Sequence, residues 1–176
     1  MPVYLASVPI IEHLRLDHAA AVLAFERENR AYFTTSISDR GDDYFAEFDE
    51  RFRDLLAEQE AAVCHFHVII GDSGDVLGRV NLVDVADGAA ELGFRIAEKA
   101  AGQGLATAAV RQVCAMAARD YGLRTLRASA ADDNAGSRTV LSRVGFVPTG
   151  QEVLLAGRRG HRYRLSLDDL IPPKDH

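Results

Sequence analysis

The chain has little cysteine, no long apolar run and no excess of basic charge, and each shortage closes a class of function. Two cysteines in 176 residues cannot build a disulfide framework. Neither Cys64 nor Cys114 stands in a metal-ligand spacing, and both fall on apolar faces, so they read as buried thiols. No stretch approaches the ~20 consecutive apolar residues that cross a bilayer, and the first residues lack the basic-then-apolar pattern of a secretory signal. A cytoplasmic protein with no membrane partner is expected. A formal net charge of -6 argues against a nucleic-acid surface, which needs clustered Lys and Arg to displace counterions from phosphates. Repeats and low-complexity tracts are also absent. With 48% apolar residues, a single domain over 1–176 is expected, with its core at about 8–168 and a tail at 169–176 carrying Pro172-Pro173.

What is present is a stretch from Glu91 to Thr107 in which a β-type run passes through two closely spaced glycines into an amphipathic helix. Gly102 and Gly104 let the backbone turn and approach a ligand without side-chain obstruction. The first amides of the helix that follows have no partners inside it, and together with the helix dipole they favour an anion. A plain structural turn would use the same glycines. Two other phosphate loops are excluded. Leu105, Ala106 and Thr107 follow Gly104 where a P-loop needs Lys and Ser or Thr, and no acidic residue ends a strand near Leu123–Leu126 as a dinucleotide fold requires.

The remaining pattern alternates strands and helices. Extended sequence at 5–16 precedes a helix at about 18–31, with Asp17 as its N-cap. Phe45, Phe48, Phe52, Leu55 and Leu56 recur at helical spacing and mark an amphipathic helix over 43–60. Residues 62–70 and 76–83 form a hairpin around Gly71-Asp-Ser-Gly74, and a further strand at 89–97 leads to the glycine loop. Val110, Val113, Cys114 and Ala117 give the buried face of the next helix, which Tyr121-Gly122 ends. A strand at 126–130, a short helix at 135–144 stopped by Gly145, and strands at 146–155 and 161–167 complete the chain.

A second segment, Asn134-Ala-Gly-Ser-Arg-Thr-Val-Leu-Ser-Arg-Val-Gly-Phe146, begins 30 residues after Gly104. In this order the two segments resemble the GNAT superfamily of acyl-CoA-dependent N-acetyltransferases, over nearly the whole chain. The family's Gln/Arg-x-x-Gly-x-Gly/Ala loop maps onto Ala101 to Ala106, with Ala101 standing where Gln or Arg is usual. The finer resemblance is to the Rim-type branch, which acetylates N-termini of ribosomal proteins. Asn134, Ser137, Gly145 and Phe146 match its helix signature, and Leu141 stands where the wider superfamily carries a thiolate-protonating tyrosine.

The resemblance implies a mixed α/β fold of the α+β type, with a mostly antiparallel central sheet of six to seven strands flanked by helices. It implies acetyl-CoA as cosubstrate, held at its pyrophosphate by Gly102, Gln103, Gly104, Leu105, Ala106 and Thr107. Phe94, Arg95 and Ile96 would pair with the pantetheine arm as an added strand, and Asn134 would bond its amide backbone. Glu91, on that strand, is the candidate proton acceptor for the attacking amine, or else a surface carboxylate paired with Arg79. Ser137 is the candidate support for the coenzyme sulfur. The expected acceptor is the N-terminal α-amine of a protein or peptide, the alternatives being a small amine (amino acid, polyamine or antibiotic) or a non-catalytic acyl-CoA-binding module; a homodimer is one assembly open to it. His65-x-His67 puts two imidazoles on one side of a strand, but with no third ligand at matched spacing no metal is expected. Either imidazole could instead face the acceptor. The acids from Asp39 to Asp54 read as a solvated face or as an attraction for cationic acceptors, and Arg158 and Arg159 as the tip of the last hairpin.

Overall fold

The computed structural model describes residues 8–170, so the N-terminal part of the first extended segment and the Pro172-Pro173 end lie outside the described residues. The elements in order are β1 (Ile10–His13), α1 (Ala19–Glu28), α2 (Arg30–Phe33), α3 (Asp42–Ala46), α4 (Phe48–Glu60), β2 (His65–Ile70), β3 (Val76–Ala86), β4 (Ala89–Ile96), α5 (Leu105–Arg119), β5 (Thr125–Ala131), α6 (Ala135–Val144), β6 (Val147–Leu155) and β7 (Arg158–Ser166). Seven strands form one sheet in the order β1-β2-β3-β4-β5-β7-β6, antiparallel at every junction except β4–β5. This is the mixed, mostly antiparallel α/β architecture expected from the sequence.

The sheet separates two cores. On one face Val80, Leu82, Leu92 and Leu126 pack under the stripe Val110, Val113, Cys114 and Ala117 of α5, with Leu141 of α6 beside them. On the other, Phe66 and Val68 meet Val22 and Phe25 of α1 and Phe48 and Phe52 of α4. Residues Phe66 and Val68 alternate with His65 and His67 along β2, so each face of that strand is covered, and the first five of its six residues are buried. Both cysteines are free buried thiols, and burial pushes Cys114 up to about 12.

Three boundaries differ from the sequence reading. Asp17 does not cap the first helix: a 3-10 turn, Leu16–His18, precedes α1, and the Arg15 N–H donates to Nδ1 of His18 at 2.9 Å. The helix expected to reach residue 31 stops at Glu28, because the Asn29 side chain donates to the Phe25 carbonyl and starts a separate turn, α2. The helix expected over 43–60 divides at Glu47, whose φ of -104° and ψ of 17° let Tyr44 meet Phe48 edge to face. Arg158 and Arg159 lie in β7, with Ala156 and Gly157 as the turn. The final 3-10 turn, Asp168–Leu170, takes in residues 169 and 170, which the sequence reading placed in the tail.

Candidate active site

Strands β4 and β5 pair at only three positions, Ala89↔Thr125, Ala90↔Leu126 and Glu91↔Arg127. Both strands continue, β4 to Ile96 and β5 to Ala131, but past Glu91 they part. The β5-facing edge of β4 therefore has no ladder partner from Leu92 onward, while its other edge stays bonded to β3. Backbone amides and carbonyls left in this way accept an extended ligand as an added strand. A cavity of about 440 Å³ occupies the gap, with Phe94, Arg95 and Ile96 in its wall.

The glycine loop closes one end of the cavity. Gly102 and Gly104 adopt φ of +73° and +78°, where a Cβ would be strained but would meet no atom within 4 Å. Gly104 is the N-cap of α5 and has no side-chain cap, so the amides of Leu105, Ala106 and Thr107 keep their donors for a ligand. Fifteen residues of helix stand behind those amides and turn a positive dipole end toward the cavity.

The opposite side is made by α6. Asn134 is its N-cap, its Oδ1 accepting from the Ser137 N–H at 3.1 Å. This bond fixes the first turn and sets both side chains against the cavity, which Asn134, Gly136, Ser137, Thr139, Val140 and Arg143 line. Leu141 is fully buried beneath them, so no proton donor comes from that position.

A third wall comes from the chain's first half: Tyr32, Phe33, Ser36 and Ile37 face the same cavity. Asn29 ties this wall to the glycine loop, its Oδ1 accepting from the Glu98 N–H at 2.9 Å. Arg158 of β7 donates to the Ser36 carbonyl at 3.2 Å and the Thr35 carbonyl at 3.0 Å. Behind the wall Glu26 is 1% exposed and meets Arg40 at 2.9 Å, Arg79 at 3.0 Å and Arg95 at 3.2 Å. The Arg95 guanidinium also lies 5.0 Å from the centre of the Phe33 ring. Burial and the nearby Arg40 lower Arg95 to about 10, which leaves it charged at neutral pH.

Comparison with known proteins assigns the family. The acetyltransferase (GNAT) domain family matches residues 10–147, most of the chain. The chain belongs to the GNAT acetyltransferases. It is 27% identical over 148 residues to the probable N-acetyltransferase YjcK of Bacillus subtilis, covering 80% of this chain and 81% of that one. In fold it resembles the ribosomal-protein-S5-alanine acetyltransferase of Vibrio fischeri, with a TM-score of 0.84 at 17% identity over 96% of this chain and 98% of that one. The spermidine N-acetyltransferase of Vibrio cholerae, solved with CoA and spermine, matches with a TM-score of 0.77 at 16% identity over 93% and 98% of the two chains. This protein is an acetyl-CoA-dependent N-acetyltransferase. The wall formed by the β4 edge, the α5 amides and the start of α6 fits a long anionic thioester: an extended arm on the strand and phosphates at the helix end.

The acetyltransferase cavity gathers most of the site residues read from sequence and leaves two aside. Phe94, Arg95, Ile96, Gly102, Gly104, Leu105, Ala106, Thr107, Asn134 and Ser137 line it; Gln103 and Glu91 do not. Gln103 turns back, its side chain 3.4 Å from the Lys99 carbonyl. Glu91 lies where β4 and β5 part, facing Arg127 at 3.5 Å and Arg162 at 3.4 Å. Arg79, its expected partner, sits opposite Arg95 in the ladder and bonds Glu26 instead.

His65 and His67 lie away from the cavity, on the α5 face. His67 meets the Val80 carbonyl at 2.9 Å and the Tyr121 hydroxyl at 2.6 Å, and His65 stacks on the Tyr121 ring at 3.7 Å. Among the described residues no three His, Cys, Asp or Glu side chains converge as a metal set. The acidic segment is partly neutralised within itself, Arg30 holding Asp39 at 2.8 Å and Asp42 at 2.9 Å, and none of its acids lines the cavity. The sequence reading does not single out Tyr32, Phe33, Ser36 or Ile37, whose place in the cavity wall no local pattern signals.

Proposed function

We propose that this acetyltransferase modifies the α-amine of a peptide or protein N-terminus in the cytoplasm, by direct attack of the amine on the thioester in a ternary complex. The observation that carries the reading is that no carboxylate lines the cavity among the described residues, while Arg95 does. A polyamine acceptor needs anions to hold its charges. An α-amine, with an ordinary pKa of about 7.7–8.0, is partly neutral at physiological pH, and a nearby guanidinium favours that neutral, nucleophilic form; an alkylamine near 10.4 stays an ammonium. Direct attack is supported by the packing of Cys64 and Cys114 in the two cores, away from the cavity.

In this reading the coenzyme sits on the glycine loop and along β4, and an amide at Phe94–Ile96 takes the charge that develops on the thioester oxygen. Ser137 supports the departing sulfur by a hydrogen bond. Glu91, off the cavity and shared between two arginines, accepts the amine proton through water. The protein works as one domain, and as a homodimer.

Thiol release from acetyl-CoA tests the reading, with N-terminal peptides, spermidine and free amino acids as acceptors. Release with peptides and little with spermidine is expected. Release with spermidine alone transfers the assignment to small amines, and acetyl-CoA binding with no release under any acceptor makes the protein a binding module.

A further inference from the structure

The α1–α4 core covers only part of its face of the sheet. Its buried members come from β2, β3, the helices and the connecting residues Leu14, Cys64 and Ala97, and none from β5, β6 or β7. On the uncovered part three guanidinium groups stand together. Register places Arg127 opposite both Glu91 and Arg164, and places Arg162 opposite Ser129, the next residue of β5 on that face beyond the point where the strands part.

These arginines are poorly satisfied. Arg127 and Arg162 share the Glu91 carboxylate at 3.5 Å and 3.4 Å, longer than the 2.7–2.9 Å usual for charge-assisted bonds. Among the described residues, Nε of Arg162 is buried without a partner and Arg164 reaches only the Thr125 hydroxyl, at 3.5 Å. Exposure of the Arg127 and Arg162 side chains, 43% and 35%, leaves them reachable from solvent. The nearby acids are engaged elsewhere: Glu152 with Arg159, Asp132 with His161, Asp133 with Arg158, Asp168 with Arg124, and Glu26 with its own three arginines. Three cations thus face one carboxylate where β4 and β5 begin to part, next to the cavity but outside its lining.

We propose that Arg127, Arg162 and Arg164 form a subsite for an acidic side chain at the second or third residue of the acceptor peptide. The inference rests on the α-amine reading above. The thioester would lie against Phe94, three residues along β4 from Glu91, or roughly 10 Å at ~3.3 Å per residue. A peptide whose N-terminal nitrogen attacks there, running in extended form toward the arginines at ~3.3–3.6 Å per residue, brings its second or third side chain to them. The carboxylate of a free amino acid lies too close to its own amine to reach.

The test is acetylation of peptides alike except for Glu, Gln or Lys at position three, with spermidine and a free amino acid beside them. For the wild type kcat/KM should favour Glu over Gln by about tenfold, with Lys lowest, and the ratio should shrink as salt rises. In Arg162→Gln the Glu-to-Gln ratio should fall to about twofold or less, and Arg162→Glu should invert the order to favour Lys. Arg127→Gln supplies a second variant should the first be unstable. Equal kcat/KM across the three wild-type peptides, or a ratio that survives in both Gln variants, overturns the subsite while leaving the α-amine reading intact. Turnover of spermidine or the amino acid with none of the peptides overturns both.

Discussion

Replacing Glu26 by Gln is the substitution with the most to say about how the cavity wall at Tyr32, Phe33, Ser36 and Ile37 is held. Glu26 is 1% exposed and each of its oxygens meets guanidinium groups, Oε1 from Arg40 and Arg79 and Oε2 from Arg40 and Arg95. Glutamine keeps the shape and one acceptor oxygen but leaves three arginines without their anion, two of them less than one-quarter exposed. Breaking a buried ion pair by removing one partner costs about 3–5 kcal/mol; the retained oxygen argues for the lower end, about 3 kcal/mol. For a domain of this size that is a fall in Tm of roughly 6–12 °C. Arg40→Met, which leaves Glu26 two guanidinium partners, should cost less. The pH dependence has a definite sign. Burial alone would raise the Glu26 carboxyl above 4.5, but the Arg40 hydrogen bond and the three positive charges outweigh it and hold it below. Its contribution is therefore complete above pH 4.5 and is lost as pH falls through the lower folded value, so the acid limb of stability should be flatter in Glu26→Gln. Urea unfolding followed by far-UV circular dichroism across pH measures both effects. A loss under about 1 kcal/mol at pH 7, or an acid limb unchanged from wild type, would refute the view that this cluster holds the wall.

Three further outcomes are expected. Glu91→Gln should lower kcat by roughly 10²-fold with KM for acetyl-CoA near the wild-type value; an unchanged kcat excludes it as proton acceptor. Ser137→Ala should reduce kcat several-fold while KM for acetyl-CoA stays near the wild-type value, because its backbone N–H remains bonded to Asn134; an equal kcat rules out support of the sulfur. His67 is fully buried, and burial lowers it from 6.5 to about 4. The unfolded chain then takes up its proton first as pH falls, so stability should drop by about 1.6 kcal/mol from this group between pH 6.5 and 5. Burial also lowers His13 and His65, which act in the same direction. Equal unfolding free energies at the two pH values would contradict the assignment.

What the sequence reveals about this site is what local chemistry decides. The glycine loop and α6 are legible because Gly102, Gly104 and Gly145 take the positive φ that glycine signals, and Asn134 caps the helix it precedes. Strand β4 is legible because its alternation survives in the fold: Phe94 and Ile96 pack on the α5 side and Arg95 meets Glu26 of α1. The parting of β4 and β5 is another matter, since it depends on which strands pair, and β7 inserts between β5 and β6 against chain order. The Glu26 cluster joins residues 14, 53 and 69 positions apart, beyond any helical or strand period. For the same reason Glu91 was matched with Arg79 on the neighbouring strand. The register puts Val83 opposite Glu91, and its arginines come from β5 and β7.

The distribution of charge joins these parts into one chemical argument. A chain of net charge -6 could be expected to attract cations, yet its cavity is walled by a helix N-terminus and by Arg95 and Arg143, with no carboxylate among the described lining residues. The surplus acid lies largely on α3 and α4, where Asp42, Asp43, Asp49, Glu50 and Asp54 are exposed and away from the cleft. Both walls therefore repel an ammonium and attract phosphates. In the proposed reaction, binding the anionic donor and shifting the acceptor toward its neutral amine would both follow from the same field. The carboxylate at the cleft's base, Glu91, is held by Arg127 and Arg162 just outside this field. As the proposed proton acceptor it would work through water from there, without first binding the amine as an unreactive ion pair.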